Sequence, residues 1–132
     1  MITTRITKYR QPLINTVRMY DHVTNAEILR ALKPIFPELS ATTIHRITSR
    51  MVERQELRIA PATNDNAMRF DTNLTPHDHF HCIRCDRLKD VIVPREFLKS
   101  MQAQLGNCKL SGNITVQGQC SSCLTHEIGS EV

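Results

Sequence analysis

Two cysteine pairs, Cys82/Cys85 and Cys120/Cys123, carry the clearest chemistry in this sequence. Each pair is C-x-x-C, and 34 residues separate the two. A two-residue gap lets the backbone turn and aim both sulfurs at one ion. Two such pairs frame a tetrahedral four-thiolate site of the kind that suits zinc. The segment between them is long enough for a strand, a helix and another strand, so the ion would tie together distant parts of a small domain. Two disulfides or redox pairs are the rival reading. They would leave Cys108 over, and no basic segment followed by an apolar run marks the N-terminus as secretory.

A second set of ligand types lies just ahead of the first pair. The stretch PHDHFHCIRC puts His77, His79 and His81 on alternate positions. Alternate side chains of a strand share a face, so His77 and His79 can present their imidazoles together. With Asp71 and Asp90 nearby they make a nitrogen-and-oxygen cluster suited to iron(II), manganese(II) or zinc. Surface histidines without a role are the plain alternative. His81, Cys108 and His126 are read as ordinary packed or exposed side chains, and the five methionines as core.

These residues must be held by a chain of 132 residues, enough for one ordinary domain or two very small ones. Six aromatic residues and no Trp leave an aliphatic core, which a structural zinc would help. No stretch approaches the roughly 20 apolar residues of a membrane span. A cytoplasmic protein with reduced, zinc-bound thiols is the simplest picture. The net charge of +4 is uneven: residues 1–60 hold ten Lys/Arg against five Asp/Glu, and residues 61–132 hold seven against eight. A basic half beside a near-neutral half suggests a nucleic-acid-binding part joined to something else.

The elements read as follows. Arg5 to Tyr20 carries Leu13, Ile14 and Val17 at helical spacing, with Pro12 expected in a first turn. A second helix starts at Thr24, where Thr24 and Glu27 form a capping box, and ends at Pro34. A third starts after Leu39 with Ser40 as N-cap; Ile44, Ile47, Met51 and Val52 form its buried face, leaving Thr43, Arg46 and Arg50 to point outward. Leu57–Ala60 and Ala67–Asp71 read as a hairpin around the turn formers Thr63 to Asn66. Three helices and a hairpin make a winged helix, with the third helix in the major groove and the hairpin as wing. Beyond it, Leu88–Val93 reads as a strand. A helix follows Pro94, with Phe97, Leu98, Met101 and Leu105 on one face and Gly106 as its stop. Ile114–Gln117 reads as the last strand, and the nine residues after Cys123 as a loose tail. The fold class is α+β: a winged helix over 1–72, then a small α/β domain over 73–132 with a structural zinc.

The chain resembles the ferric uptake regulator superfamily, the metal-responsive bacterial repressors. The resemblance runs from Arg5 to Cys123. It rests on RIT at Arg5 with Arg10 following, HVTNAEI at His22, LSATTIHR at Leu39, RFD at Arg69, HDHFHCIRC at His77 and GQCSSC at Gly118. Membership implies a winged-helix DNA-binding domain over 1–72, a dimerisation and metal-sensing domain over 73–132, and a homodimer that binds a double-stranded DNA operator. It implies a structural zinc on the four cysteines, with Arg46 and His45 facing the major groove beside Thr43, and Arg5 near the minor groove. The peroxide-sensing branch resembles this chain at all five positions of its regulatory site, which fall on His22, Asp71, His77, His79 and Asp90. Iron-sensing relatives usually carry Glu where this chain has Asp71 and Asp90.

That branch implies a specific chemistry. With iron(II) in the site, peroxide is cleaved and a ligand imidazole, by resemblance His22 or His77, is oxidised. The damaged site releases its metal and the DNA is let go; manganese resists this. Three departures stand out. His45 replaces the family's usual Tyr. The usual first helix is missing or reduced. A further metal site of some relatives lacks its histidines, at Gly112 and Pro76. The alternatives are an iron-, manganese- or zinc-responsive repressor without peroxide chemistry and, more distantly, a zinc enzyme. A zinc deaminase would need H-x-E and a Pro before the second pair, where Gln119 stands. A closed four-thiolate site also leaves no place for an activated water.

Overall fold

The computed structural model describes residues 3–111 and 113–125, with side chains from residue 8 onward. Gly112, His126 with the rest of the tail, and the side chain of Arg5 therefore lie outside the described residues. The chain divides into two compact units, Met1–Thr75 and Pro76–Val132. The division falls three residues beyond the expected 72/73 boundary. Among the described residues no helix is long and apolar enough to cross a membrane.

The first unit opens with α1 (Thr3–Tyr20). The helix starts earlier than expected, so Pro12 lies inside it rather than in its first turn. An interior proline removes one i→i−4 hydrogen bond and costs about 3 kcal/mol. Burial outweighs that: Leu13 and Val17 are fully buried and Ile14 nearly so, each worth roughly 1.5–3 kcal/mol. Strand β1 (Val23–Thr24) leads directly into α2 (Asn25–Leu32). The capping box is present: the Glu27 N–H donates to Thr24 Oγ1 at 3.2 Å, and the Thr24 N–H donates to Glu27 Oε1 at 3.0 Å. Helix α3 (Ala41–Glu53) is capped by Ser40, whose Oγ accepts from the Thr43 N–H at 3.2 Å. Ile44, Ile47 and Met51 bury its inner face as expected, joined by Thr48 rather than by the half-buried Val52. Thr48 is tolerated there because its hydroxyl donates to Asn25 Oδ1 at 2.9 Å, which ties α3 to the start of α2.

The hairpin is shorter than the sequence pattern suggests: β2 (Arg58–Ala60) pairs antiparallel with β3 (Arg69–Asp71). Leu57 is absorbed into the core, and Ala67 closes the loop by donating to Thr63 Oγ1. Strand β1 adds to the other side of β3, giving the order β1–β3–β2. Buried Arg69 anchors the base of the wing, donating to the carbonyls of Pro61 and Ala62.

The second unit is a three-stranded sheet in the order β5–β4–β6, with β4 at Asp78–Cys82, β5 at Leu88–Val91 and β6 at Thr115–Gly118. Strands β5 and β6 were expected as the two arms of a strand–helix–strand unit; they flank β4 and do not pair with each other. Strand β5 is antiparallel to β4 and follows it by a tight turn. Strand β6 is parallel to β4, and a parallel partner needs a crossover, which α4 (Arg95–Leu105) supplies. Helix α4 ends at Gly106, whose φ of 62° suits the only residue type without a Cβ. Its apolar residues have the expected spacing, yet none is buried. Phe97 is 46% exposed and, with Phe80, Val91, Val93 and Val116, lines a shallow apolar depression. The first residues of the expected tail are helical, over 121–125.

Candidate metal centres and nucleic-acid interface

Cys82 ends β4, and Cys85 follows in the turn to β5. Cys120 and Cys123 follow β6, which lies beside β4 in parallel register, with Cys82 opposite Gly118. Pairing of two strands distant in sequence thus brings the two C-x-x-C turns together. The four sulfurs lie within 4.8 Å of one another. Cys82 and Cys123 are 3.7 Å apart, and Cys85 and Cys120 are 3.8 Å apart. A tetrahedron of bonds near 2.3 Å requires sulfurs roughly 3.8 Å apart, so the cluster fits zinc. All the cysteines are free, and these spacings are far from the roughly 2.05 Å of a disulfide.

The electrostatics of the cluster point the same way. The backbone N–H groups of Cys85 and then Cys120 aim at Cys82 Sγ and hold that thiol down to about 5. Cys120 is also lowered, first by the Cys123 N–H. Cys123 is pushed up to about 12, first by its hydrogen bond with the Cys120 thiol and then by burial. Four thiolates cannot share this space without a cation between them, and a divalent ion removes the conflict.

The imidazole and carboxylate residues form one group in each unit. In the first, β1 pairs with β3 so that Val23 faces Phe70. That register brings His22, just before β1, beside Asp71, which ends β3; His22 Nε2 lies 3.5 Å from Asp71 Oδ2, with both side chains buried. In the second, His79 on β4 is directly opposite Asp90 on β5. Opposed residues of an antiparallel pair share a face. His77 Nε2 and His79 Nε2 each lie 3.4 Å from the same atom, Asp90 Oδ1. Two imidazole nitrogens converging on one carboxylate oxygen are a donor set that fits a divalent first-row metal.

His81 is different. It is buried, and its Nε2 is 2.7 Å from Asp86 Oδ1, a contact that spans the Cys82–Cys85 turn. Pattern reading missed Asp86, which takes a left-handed φ of 71°, because only the fold brings it against His81. It also missed Asp78, whose carboxylate accepts from the backbone N–H groups of Val93 and Ile114.

On the first unit, His45 and Arg46 are exposed on the outer face of α3. Thr43 is half-buried, and its hydroxyl lies 3.1 Å from Ser40 Oγ, so it belongs to the helix cap as much as to the outer face. A groove beside this face runs along Lys8, Glu38, His45, Arg46 and Arg50. Lys8 sits 3.3 Å from Glu38 Oε2, and the Tyr9 hydroxyl donates to the same oxygen at 2.6 Å.

The family model described as the ferric uptake regulator family matches residues 2–111. The chain belongs to the ferric uptake regulator family and is a metal-responsive transcription regulator, not an enzyme. A peroxide-responsive repressor, PerR, of Staphylococcus aureus (strain USA300) is 29% identical over 125 residues, spanning 90% of this chain and 82% of that protein. The ferric uptake regulator Fur of Helicobacter pylori, with three functional metal-binding sites, superposes with a TM-score of 0.72 at 19% identity over 89% of this chain and 80% of its own. A peroxide stress regulator of Campylobacter jejuni gives 0.69 at 17% identity, over 91% and 92%. At these identities the two structures speak for the fold. The family match ends before Cys120, so the second cysteine pair rests on its geometry.

Proposed function

We propose that this protein is a homodimeric, operator-binding repressor whose DNA binding depends on one exchangeable metal ion held by His22, Asp71, His77, His79 and Asp90. The ion is iron(II) or manganese(II), and a separate structural zinc sits on Cys82, Cys85, Cys120 and Cys123. The observation that carries the reading is the convergence of His77 and His79 on one oxygen of Asp90. His22 and Asp71 add the same ligand types from the DNA-binding unit. A metal that favours the DNA-competent arrangement shifts the population toward it. Arg46 and His45 then read the major groove, Thr43 sets the start of that helix, and Arg5 approaches the minor groove. The uncovered apolar face around Phe97 and Val116 takes the second subunit. The setting is the cytoplasm, where thiols stay reduced.

The same site senses peroxide. Aspartates at both carboxylate positions and similarity to peroxide-responsive relatives support this over plain iron sensing. Iron(II), when held by these residues, would supply the redox chemistry that splits hydrogen peroxide. One peroxide oxygen ends on the imidazole of His22 or His77, and the other leaves as water. An oxidised imidazole holds the metal poorly, and the operator is released. Mass spectrometry of intact protein after brief peroxide exposure tests this. With iron loaded, one oxygen (roughly 16 Da) is expected on a peptide carrying His22 or His77, with loss of operator binding. With manganese loaded, neither change is expected. Operator binding that follows iron while no residue is oxidised would make the protein a plain iron sensor.

A further inference from the structure

We infer that Asp78, the residue between the two histidines of H-x-H, is the positioning residue of the second unit's metal-binding group; the inference rests on the metal reading above. Its side chain points to the opposite side of β4 from His77 and His79, as alternation requires. There it binds backbone rather than metal. Asp78 Oδ2 accepts from the Val93 N–H at 3.1 Å, and Oδ1 accepts from the Ile114 N–H at 2.9 Å. Val93 lies just past β5, ahead of α4; Ile114 lies just before β6. One carboxylate therefore grips both ends of the crossover and fixes both neighbours of β4 at once. The His79 N–H completes the clamp by donating to the Ile114 carbonyl at 3.0 Å.

Register is what this clamp protects. Asp78 faces Val91 and His79 faces Asp90 across the β4–β5 pair. A slip of one residue would carry Asp90 to the other face, away from both imidazoles. Strand β5 has only four residues, and half of its length is solvent-exposed, so its ladder alone specifies register weakly. A charged acceptor on the Val93 N–H adds one strong bond just past the end of that ladder. Asp78 thus acts on the metal through Asp90 and His79 without touching it.

The test uses the zinc-loaded full chain and two variants, Asp78→Ala and Asp78→Asn. Manganese(II) binding is measured by titration, zinc by elemental analysis, and amide exchange at Val93 and Ile114 by NMR before manganese is added. For Asp78→Ala, manganese affinity should fall by about tenfold or more, as for other residues behind metal ligands. The Val93 and Ile114 amides should exchange about tenfold faster, and one zinc per chain should remain. Asp78→Asn keeps one acceptor, so its losses should be smaller in both readouts; it carries the test if the alanine variant loses zinc. Parental manganese affinity in either zinc-retaining variant would overturn the inference. So would weakened manganese with unchanged amide exchange, which would make Asp78 a ligand. A parent chain that binds no second metal would overturn the metal reading and this inference with it.

Discussion

The thiol cluster and the imidazole–carboxylate groups are built to opposite plans. All four cysteines belong to the second unit, and their sulfurs lie at tetrahedral spacing, with backbone N–H groups already aimed at Cys82. The ligand types of the proposed second site are divided: His22 and Asp71 belong to one unit, and His77, His79 and Asp90 to the other. A closed site within one unit can hold that unit together but has little to report. In the proposed regulatory site, ligands from two units would make occupancy depend on their arrangement and, by linkage, bias it. Soft thiolates suit a permanent zinc, and imidazole with carboxylate suits an exchangeable first-row ion.

The largest effect should come from breaking the closed site. Cys85→Ser removes one ligand of four, and structural zinc contributes roughly 10 kcal/mol or more of folding free energy in small zinc peptides. The second unit should lose its zinc and unfold or cease to dimerise, seen by elemental analysis and sedimentation. A zinc-free variant that remains folded and dimeric would end the structural reading. Opening the divided site should do something else. His22→Ala should leave zinc and thermal stability near parental while weakening metal-dependent operator binding by about 10- to 100-fold. Equal losses in stability and operator binding would erase the contrast between the sites.

How much of this contrast was legible beforehand depended on how local each signal is. The Thr24–Glu27 box, the Ser40 cap and both C-x-x-C turns are written in residues a few positions apart, and the structure contains them. The two-residue strand β1 is too short to show a period, yet its pairing with β3 is what sets His22 beside Asp71. That neighbourhood came from family resemblance and could not come from spacing. Pro12 was misplaced because the helix reaches back to Thr3, which puts Pro12 in its interior. Asp78 was not singled out, since only the sheet shows its carboxylate turned to the Val93 and Ile114 amides.

A smaller effect should separate both metals from DNA reading itself. Arg46 is exposed on α3 and belongs to neither ligand set. Arg46→Ala should leave zinc and manganese binding unchanged and relax sequence preference by about 1–3 kcal/mol, if it reads a base. Competition between operator and random duplex at one salt concentration measures this, because phosphate contacts make every affinity salt-dependent. A uniform loss on both duplexes would assign Arg46 to phosphate instead.

The mildest perturbation of the closed site is pH, and its sign follows from the thiols. In the metal-free chain Cys123 is held up at about 12, so it carries its proton at neutral pH and must release it for zinc to bind. Each release makes apparent affinity fall about tenfold per unit drop in pH. Cys82 is held down at about 5, so between pH 8 and pH 6 it adds no competing proton; below about 5 it begins to, and the slope steepens. The same depressed thiol contributes to folding of the metal-free unit. Its folded value lies below the ordinary thiol value, so its contribution is full above roughly pH 9 and is lost as pH falls toward 5. Zinc competition against a chromophoric chelator at pH 8, 7 and 6, at fixed free zinc, should therefore show a fall of at least about tenfold per step. An affinity that stays flat across those steps would mean that Cys123 meets the metal already ionised, and that its thiol is not the proton-bearing member of the cluster.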